Sequence, residues 1–370
     1  MLCYSRSSIP SQTDRTTHPK NWYGRLGFVL MNLLQNAGYS QDHQDQLLRN
    51  LSLLVVPHLG PLLPPGAPVW RSFMTDDHTP VEVSWDFHTG CQQPTIRYSF
   101  EPIAADAGTV HNPNNTGASQ RFKQCLVEKF PATDTTWFDH FQECLVKNTS
   151  KANSEGHNST TFWAFDLIEK GASVKAYFFP GAAAHATGRT NLQVTLEAVA
   201  SAPGYSPRDF PSLGIYTDFA ARDSSIGHEM DMLALDFEPL ERSRLKIYFR
   251  NRRTDFASVR ENMSLGGLVA EPNLDKGLLR LRKLWDAFFD PAGIADEIPL
   301  PHVDHRTAGI LYNVEFRFRK RLPLVKVYIP VRHYAQNDAY ISEALIAKRR
   351  NLAVAAMSAK FYRRCIDQTL

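Results

Sequence analysis

The stretch SRLKIYFR, residues 243–250, alternates Arg244, Lys246 and Tyr248 with Leu245, Ile247 and Phe249. Successive side chains of a β-strand point to opposite faces, so one face here is apolar and the other carries two cations and a phenol. The pattern recurs in PTIRYSF (94–100), SVKAYFFP (173–180) and LVKVYIPV (324–331). Each of these four runs follows another strand-like run: PVEVSWDF (80–87), TFWAFDLI (161–168), MDMLALDF (230–237) and AGILYNVEFRFR (308–319). The cations Arg97, Lys175, Lys246 and Lys326 return about every 75 residues, and Tyr177, Tyr248 and Tyr328 follow the last three at i+2.

Helical periodicity separates the strand pairs. Residues 21–55 read as two helices parted by Gly38, Tyr39 and Ser40, and a Pro/Gly-rich connector then leads to Trp70. A helix is expected over 121–147, helical material around 189–201, and another helix in DKGLLRLRKLWDAFF. Loops are expected at 103–120 and in KNTSKANSEGHNST. The chain is thus an α+β protein in which strand pairs alternate with helices. Residues 1–20 read as a disordered segment, 21–338 as one domain and 339–370 as a basic helical end.

Composition narrows the function classes. Net charge is +3 over 370 residues, so no global basic field argues for nucleic acid. No apolar run is long enough to span a bilayer, and the first twenty residues lack the apolar core of a secretory signal. Five widely spaced cysteines without a C-x-x-C pair suit a reducing compartment, and a cytoplasmic location is expected.

One basic strand face is ordinarily a wet surface, but four in register call for another account. Helices covering the apolar faces would leave the polar faces to converge on a basic, tyrosine-lined lumen. Close like charges repel by about 4 kcal/mol per pair at an effective dielectric near 20, so such a lumen calls for an anion. Arginine, lysine and tyrosine together suit a phosphate or diphosphate. Glu82 falls on the polar face of the first strand beside Ser84, as a counter-ion or as an acceptor for an organic co-substrate's hydrogen bond. DDHTP (76–80) begins like an Asp-rich magnesium motif but has Pro80 where a further aspartate would stand. Asp76 and Asp77 therefore read as shaping the start of the strand.

In W-x-S-F-M-T-D-D-H-T-P-V-E-V-S-W, K-A-Y-F-F-P, S-R-L-K-I-Y-F-R and K-V-Y-I-P, in this order and spacing, the chain resembles the fungal dimethylallyl-tryptophan-synthase-type aromatic prenyltransferases, over about residues 21–338. The resemblance implies an ABBA barrel, with antiparallel strands inside, lined by polar residues, and helices outside. It implies that Arg97, Lys175, Arg244, Lys246 and Lys326 bind the diphosphate of dimethylallyl diphosphate. Tyr177, Tyr248 and Tyr328 would shield the allylic cation, and Glu82 would orient a small aromatic acceptor, indole-type or phenolic. The reaction implied is a metal-independent Friedel–Crafts alkylation in alkaloid secondary metabolism, with no cofactor, no nucleic-acid or membrane partner, and a homodimer left open.

Three departures accompany the resemblance. Phe162 stands where relatives that prenylate tryptophan at C4 carry a lysine, and Phe179 where they carry a tyrosine that helps hold the amino acid. Both disfavour free tryptophan prenylated at C4 and favour an indole-containing peptide, a diketopiperazine or a polyketide phenol. A fifth strand pair would fall beyond residue 370, so the barrel is expected to lack its last pair. That leaves a second reading, a shortened relative that binds an isoprenoid diphosphate or a protein partner without turnover.

Overall fold

The computed structural model describes residues 22–62, 69–86, 93–147, 156–168, 171–289 and 295–351. The expectations for residues 1–20, for the turns at 87–92 and 169–170, for Cys3, Cys91 and Cys365, and for the chain end from 352 lie outside them. The chain divides into two compact units. One comprises the chain up to Thr133 and Ser150–Ala176; the other comprises Asp134–Thr149 and the chain from Tyr177 onward.

The first unit opens with helices α1 (Trp22–Asn36) and α2 (Gln41–Asn50). Gly38 separates them at φ +79°, a left-handed conformation that glycine adopts without a Cβ clash. The next residue, Tyr39, is buried. Its hydroxyl donates to the Leu167 carbonyl at 2.5 Å and accepts the Ile96 N–H at 3.2 Å, fastening the helix pair to the strands.

Strands β1 (Val81–Asp86) and β2 (Thr95–Phe100) form the first hairpin. Helix α3 (Ala118–Lys129) follows, but the helix expected over 121–147 does not run through. Pro131 disfavours helical torsions at Phe130, which leaves the helix at φ −129°, ψ 76°. The chain restarts as α4 (Thr136–Gln142), within the second unit. Strand β3 (Thr161–Ile168) pairs antiparallel with β2, setting Arg97 opposite Asp166 and Phe100 opposite Trp163. Strand β4 (Gly171–Phe178) comes next in the hydrogen-bond order, and its last residues, Tyr177 and Phe178, belong to the second unit.

The apolar face of β2 and β3 is covered by α3. Phe122 meets Phe100 and Trp163 edge-on at 4.9 Å each, and the Trp163 indole donates to Ser119 at 2.9 Å. Phe122 is fully buried.

The second unit carries α5 (Gly181–Thr187), α6 (Asn191–Ala200) and α7 (Pro211–Ala220), then β5 (Glu229–Asp236) and β6 (Arg244–Asn251). Helices α8 (Phe256–Met263) and α9 (Pro272–Phe289) precede β7 (Ile310–Arg317) and β8 (Leu324–Tyr328). The described chain ends with α10 (Val331–Tyr334) and α11 (Asp338–Asn351). The sequence reading missed α7 and α8, each of 8–10 residues. The signal for α8 was Asp255, whose side chain caps the helix by accepting the Ser258 N–H at 2.7 Å.

Strands β5 to β8 pair in sequence order, all antiparallel. Eight strands lie among the described residues, the number that the four sequence pairs give. On the apolar side of β6, Phe249 stacks on Tyr312 at 5.1 Å and meets Tyr216 and Phe219 of α7 at 6.0 and 6.3 Å. No helix among the described residues is long and apolar enough to cross a membrane.

Replacing Phe122 by alanine removes the ring on which this side of the first unit closes, and should cost roughly 3–5 kcal/mol. Chemical denaturation checks this; a loss below about 1 kcal/mol would show that the aromatic cluster does not anchor the unit.

Candidate active site

The strand face that the sequence singles out is buried. Lys246 and Tyr248 are each 5% exposed, and every residue of β6 after Arg244 is buried. The wet-surface account of SRLKIYFR fails, and β6 is covered on both faces.

The cations are also not left to repel one another, as the sequence reading supposed. In the first unit, Asp166 of β3 forms ion pairs with both Arg97 of β2 and Lys175 of β4. Burial pushes the Asp166 carboxyl up, but Lys175 and Arg97 outweigh it and hold the group below its ordinary value. In the second unit, Arg244 pairs with Asp236 of β5, and its other nitrogen lies 3.7 Å from Glu315 of β7. Lys246 stands between the same two acids, 3.4 Å from Asp236 and 3.8 Å from Glu315. Both distances exceed the 2.7–2.9 Å of a tight charge-assisted hydrogen bond, so neither of these two carboxylates grips Lys246 closely.

These three acids were not on the sequence list. Their signal was the mirror of the cation repeat, because each first strand of a pair carries an acid: Glu82, Asp166, Asp236 and Glu315. Register turns that repeat into chemistry. Directly opposed residues of antiparallel strands share a face, and Arg97 lies opposite Asp166 while Lys246 lies opposite Glu315.

The tyrosines expected to act together do meet within the second unit. Tyr248 lies 5.8 Å from Tyr177 and 6.0 Å from Tyr328, ring centre to ring centre. Asn313, opposite Tyr248 in register, donates to the Tyr328 hydroxyl at 2.9 Å. Burial drives the Tyr248 phenol well above its ordinary pKa, so the ring stays neutral and offers an electron-rich face. One residue along the same strand face, Arg250 binds Asp231 at 3.0 Å, where the pairing of β5 with β6 shifts by one residue.

Two predicted residues sit differently from the rest. Lys326 is exposed, opposite Asn313, and has no carboxylate partner among the described residues; Tyr328 is 39% exposed. Strand β8 pairs only with β7 among the described strands, which leaves it the most open of the cation-bearing strands.

Glu82 of β1 has its side chain open to solvent, yet the protein around it raises its carboxyl pKa, with Arg97 pulling the other way. Phe162, assigned by resemblance to the acceptor side, is buried and stacks on Phe73 at 6.0 Å with 18° between the planes. Asp77 accepts hydrogen bonds from the Thr75 hydroxyl at 2.6 Å and the Thr79 N–H at 3.0 Å, shaping the turn before β1. Among the described residues, no group of three or more His, Cys, Asp or Glu side chains is arranged to hold a metal ion.

Residues 18–364 match the family model described as tryptophan dimethylallyltransferase. The 4-O-dimethylallyl-L-tyrosine synthase of Claviceps purpurea is 36% identical over 348 residues, 90% of this chain and 76% of that protein. The 7-dimethylallyltryptophan synthase of Aspergillus fumigatus is 32% identical, over 88% of this chain and 72% of its own. Among solved structures, AnaPT from Neosartorya fischeri superposes with a TM-score of 0.79 at 23% identity, covering 96% of this chain and 85% of that one. NotF in complex with brevianamide F and DMSPP gives 0.78 at 24%, covering 97% and 89%.

Asp166→Asn should remove the carboxylate paired with Lys175, whose side chain is 4% exposed, and destabilise the protein by roughly 3–5 kcal/mol at neutral pH. The wild-type advantage should be complete above the unfolded aspartate pKa of about 4 and shrink as pH falls through the lower folded value. Denaturation of both proteins between neutral and acid pH tests this. An advantage that grew on acidification would reject the assigned pairing.

Proposed function

Because the chain belongs to the tryptophan dimethylallyltransferase family and is a prenyltransferase of ABBA fold, we propose that it transfers the dimethylallyl group of dimethylallyl diphosphate to an electron-rich aromatic acceptor without needing a metal ion. The observation that carries this reading lies in the second unit. A buried lysine poised between two carboxylates is followed on the same strand face by a tyrosine with two more tyrosine rings beside it. That is a site for an anion next to a site for a cation.

In this reading Arg97 and Lys175, and likewise Arg244, Lys246 and Lys326, are diphosphate ligands. Their positive charge offsets the charge that builds on the leaving group as its C–O bond breaks, the bonding electrons departing with diphosphate. The C5 cation left behind meets the faces of Tyr177, Tyr248 and Tyr328, which attract positive charge and exclude water. An acceptor atom then forms the new bond to carbon, and its proton leaves to a base. Glu82 orients the acceptor by taking a hydrogen bond from its N–H or O–H. Side chains thus supply the charge that a metal would otherwise bring.

For the acceptor we propose a phenol or an indole, with L-tyrosine the first compound to try. The 36% identity to a tyrosine 4-O-dimethylallylating enzyme supports that choice. Attack by a ring carbon is the Friedel–Crafts course; attack by a phenolic oxygen uses the same cation. The fungal relatives support a place in secondary metabolism.

Purified protein incubated with dimethylallyl diphosphate, excess EDTA and L-tyrosine, L-tryptophan or a tryptophan-containing cyclic dipeptide should yield a product heavier by one C5H8 unit, read by mass spectrometry. Loss of all product on adding EDTA, with recovery on adding magnesium, would overturn the metal-independent mechanism. Lys246→Ala should raise the KM for the prenyl donor and lower kcat by roughly 100-fold or more, since it removes a charge that acts as the leaving group departs. The acceptor KM should hardly change; equal defects for both substrates would count against the assignment.

A further inference from the structure

Beneath the start of β1 lies a buried carboxylate that the proposed chemistry does not use. Glu101 follows β2 directly and is 2% exposed. It accepts hydrogen bonds from the Trp70 indole N–H at 2.9 Å, the Ser159 hydroxyl at 2.5 Å and the Ser72 hydroxyl. Its backbone N–H donates to the carbonyl of Pro80, two residues before Glu82.

The donors belong to two segments of the chain. Trp70 and Ser72 lie in the non-helical run that leads into β1, and Ser159 precedes β3. The bonding continues outward from Glu101. The Phe73 N–H donates to the Ser159 hydroxyl oxygen at 2.8 Å, the Asn158 N–H donates to the Arg71 carbonyl at 2.7 Å, and a His78 ring nitrogen lies 2.9 Å from the Ser72 carbonyl. Phe73, held by Ser159, is the residue stacked on Phe162, and His157 closes its other side edge-on at 5.0 Å. One carboxylate therefore ties together the start of the strand that carries Glu82 and the aromatic wall formed by Phe73 and Phe162.

We propose that Glu101 is a positioning residue for the aromatic acceptor, a buried negative charge whose three hydrogen bonds fix segment 70–80 so that Glu82 and Phe73 present one acceptor-binding surface. This rests on the reading of Glu82 as the acceptor's hydrogen-bond partner. Glu101 touches no substrate and acts through the residues it holds.

The charge itself distinguishes positioning from simple stapling. Burial pushes the Glu101 carboxyl up to about 7, against its three donors. An acid raised in the folded state contributes stability below its unfolded pKa and loses that contribution as pH rises through the folded value. At pH 8 the ionised Glu101 is thus a burden on folding that a glutamine would not impose. A glutamine, however, offers one acceptor oxygen and an NH2 group that cannot accept from the remaining hydroxyl donors.

The test uses the full chain at pH 8 with dimethylallyl diphosphate and whichever of L-tyrosine or L-tryptophan the wild type prenylates. Glu101→Gln should raise the acceptor KM roughly tenfold or more, as small misplacements of binding groups do, with the donor KM unchanged and the Tm no lower than wild type. Trp70→Phe, which removes a single donor, should move the acceptor KM the same way by less. An acceptor KM unmoved in both variants, or donor and acceptor KM rising together, overturns the proposal. So does a fall in Tm with both KM values intact, since that is what a structural staple alone would give. A wild type that prenylates neither amino acid nor any other aromatic acceptor would instead refute the functional reading on which the inference stands.

Discussion

A lysine ammonium buried inside a protein must find a counter-charge, and most of this molecule's internal arrangement follows from that constraint. Desolvating a lone ion costs several kcal/mol even after relaxation, far more than one ordinary hydrogen bond returns. Lys175 and Lys246 are both buried, and each lies against aspartate, Asp166 and Asp236 respectively. The acids stand on neighbouring strands, so the pairing register of the sheet is also the wiring of the charges. A slip of one residue between β6 and β7 would turn Glu315 to the opposite face from Lys246 and take one of its two carboxylates from the ammonium.

The same constraint explains why the helices lie where they do. A strand such as β6, covered on both faces, needs an apolar partner on one side and a polar one on the other. Phe249 receives Tyr216 and Phe219 of α7, while Lys246 and Tyr248 receive acids and phenols. In the first unit α3 does the equivalent for β2 and β3 through Phe122. Alternation in the sequence thus becomes two chemically different interiors separated by one layer of backbone.

How far this was legible depends on whether the signal was local. The strand pairs could be read because alternation is visible within each run, and because the cation and the tyrosine recur in step. The acids could not be assigned, although they were in view. Asp166 in AFDLI and Asp236 in ALDFE look like any polar residue on an alternating strand, and only the register shows that they face Arg97, Lys175, Arg244 and Lys246. The break at Pro131 was a local signal that the longer helical pattern outweighed. Glu101 shows the opposite limit: SFEPI reads as the end of a strand, and nothing local announces that Trp70, Ser72 and Ser159 converge on its carboxylate. Lys326 and Tyr328 carry the full motif yet remain exposed, because a motif specifies side chains and not the packing of the strand that bears them.

Neutralising the cations in the resting protein would defeat an anion site if the pairs were tight, and here the distances matter. Lys246 at 3.4 and 3.8 Å from its two carboxylates has its desolvation offset by their field without being locked into the geometry of either. Under the proposed function an arriving diphosphate would bring more charge and more acceptor oxygens than a carboxylate and could draw that ammonium. In the proposed reaction Tyr248, two residues along, would face the other half of a separated ion pair, since burial keeps its hydroxyl neutral and its ring face attracts positive charge. Acids of β5 and β7 and the cation and phenol of β6 between them therefore form a single electrostatic cluster. The carboxylates offset the desolvation of the cations, and under the proposed reaction the rings would face the charge that the cations help to release.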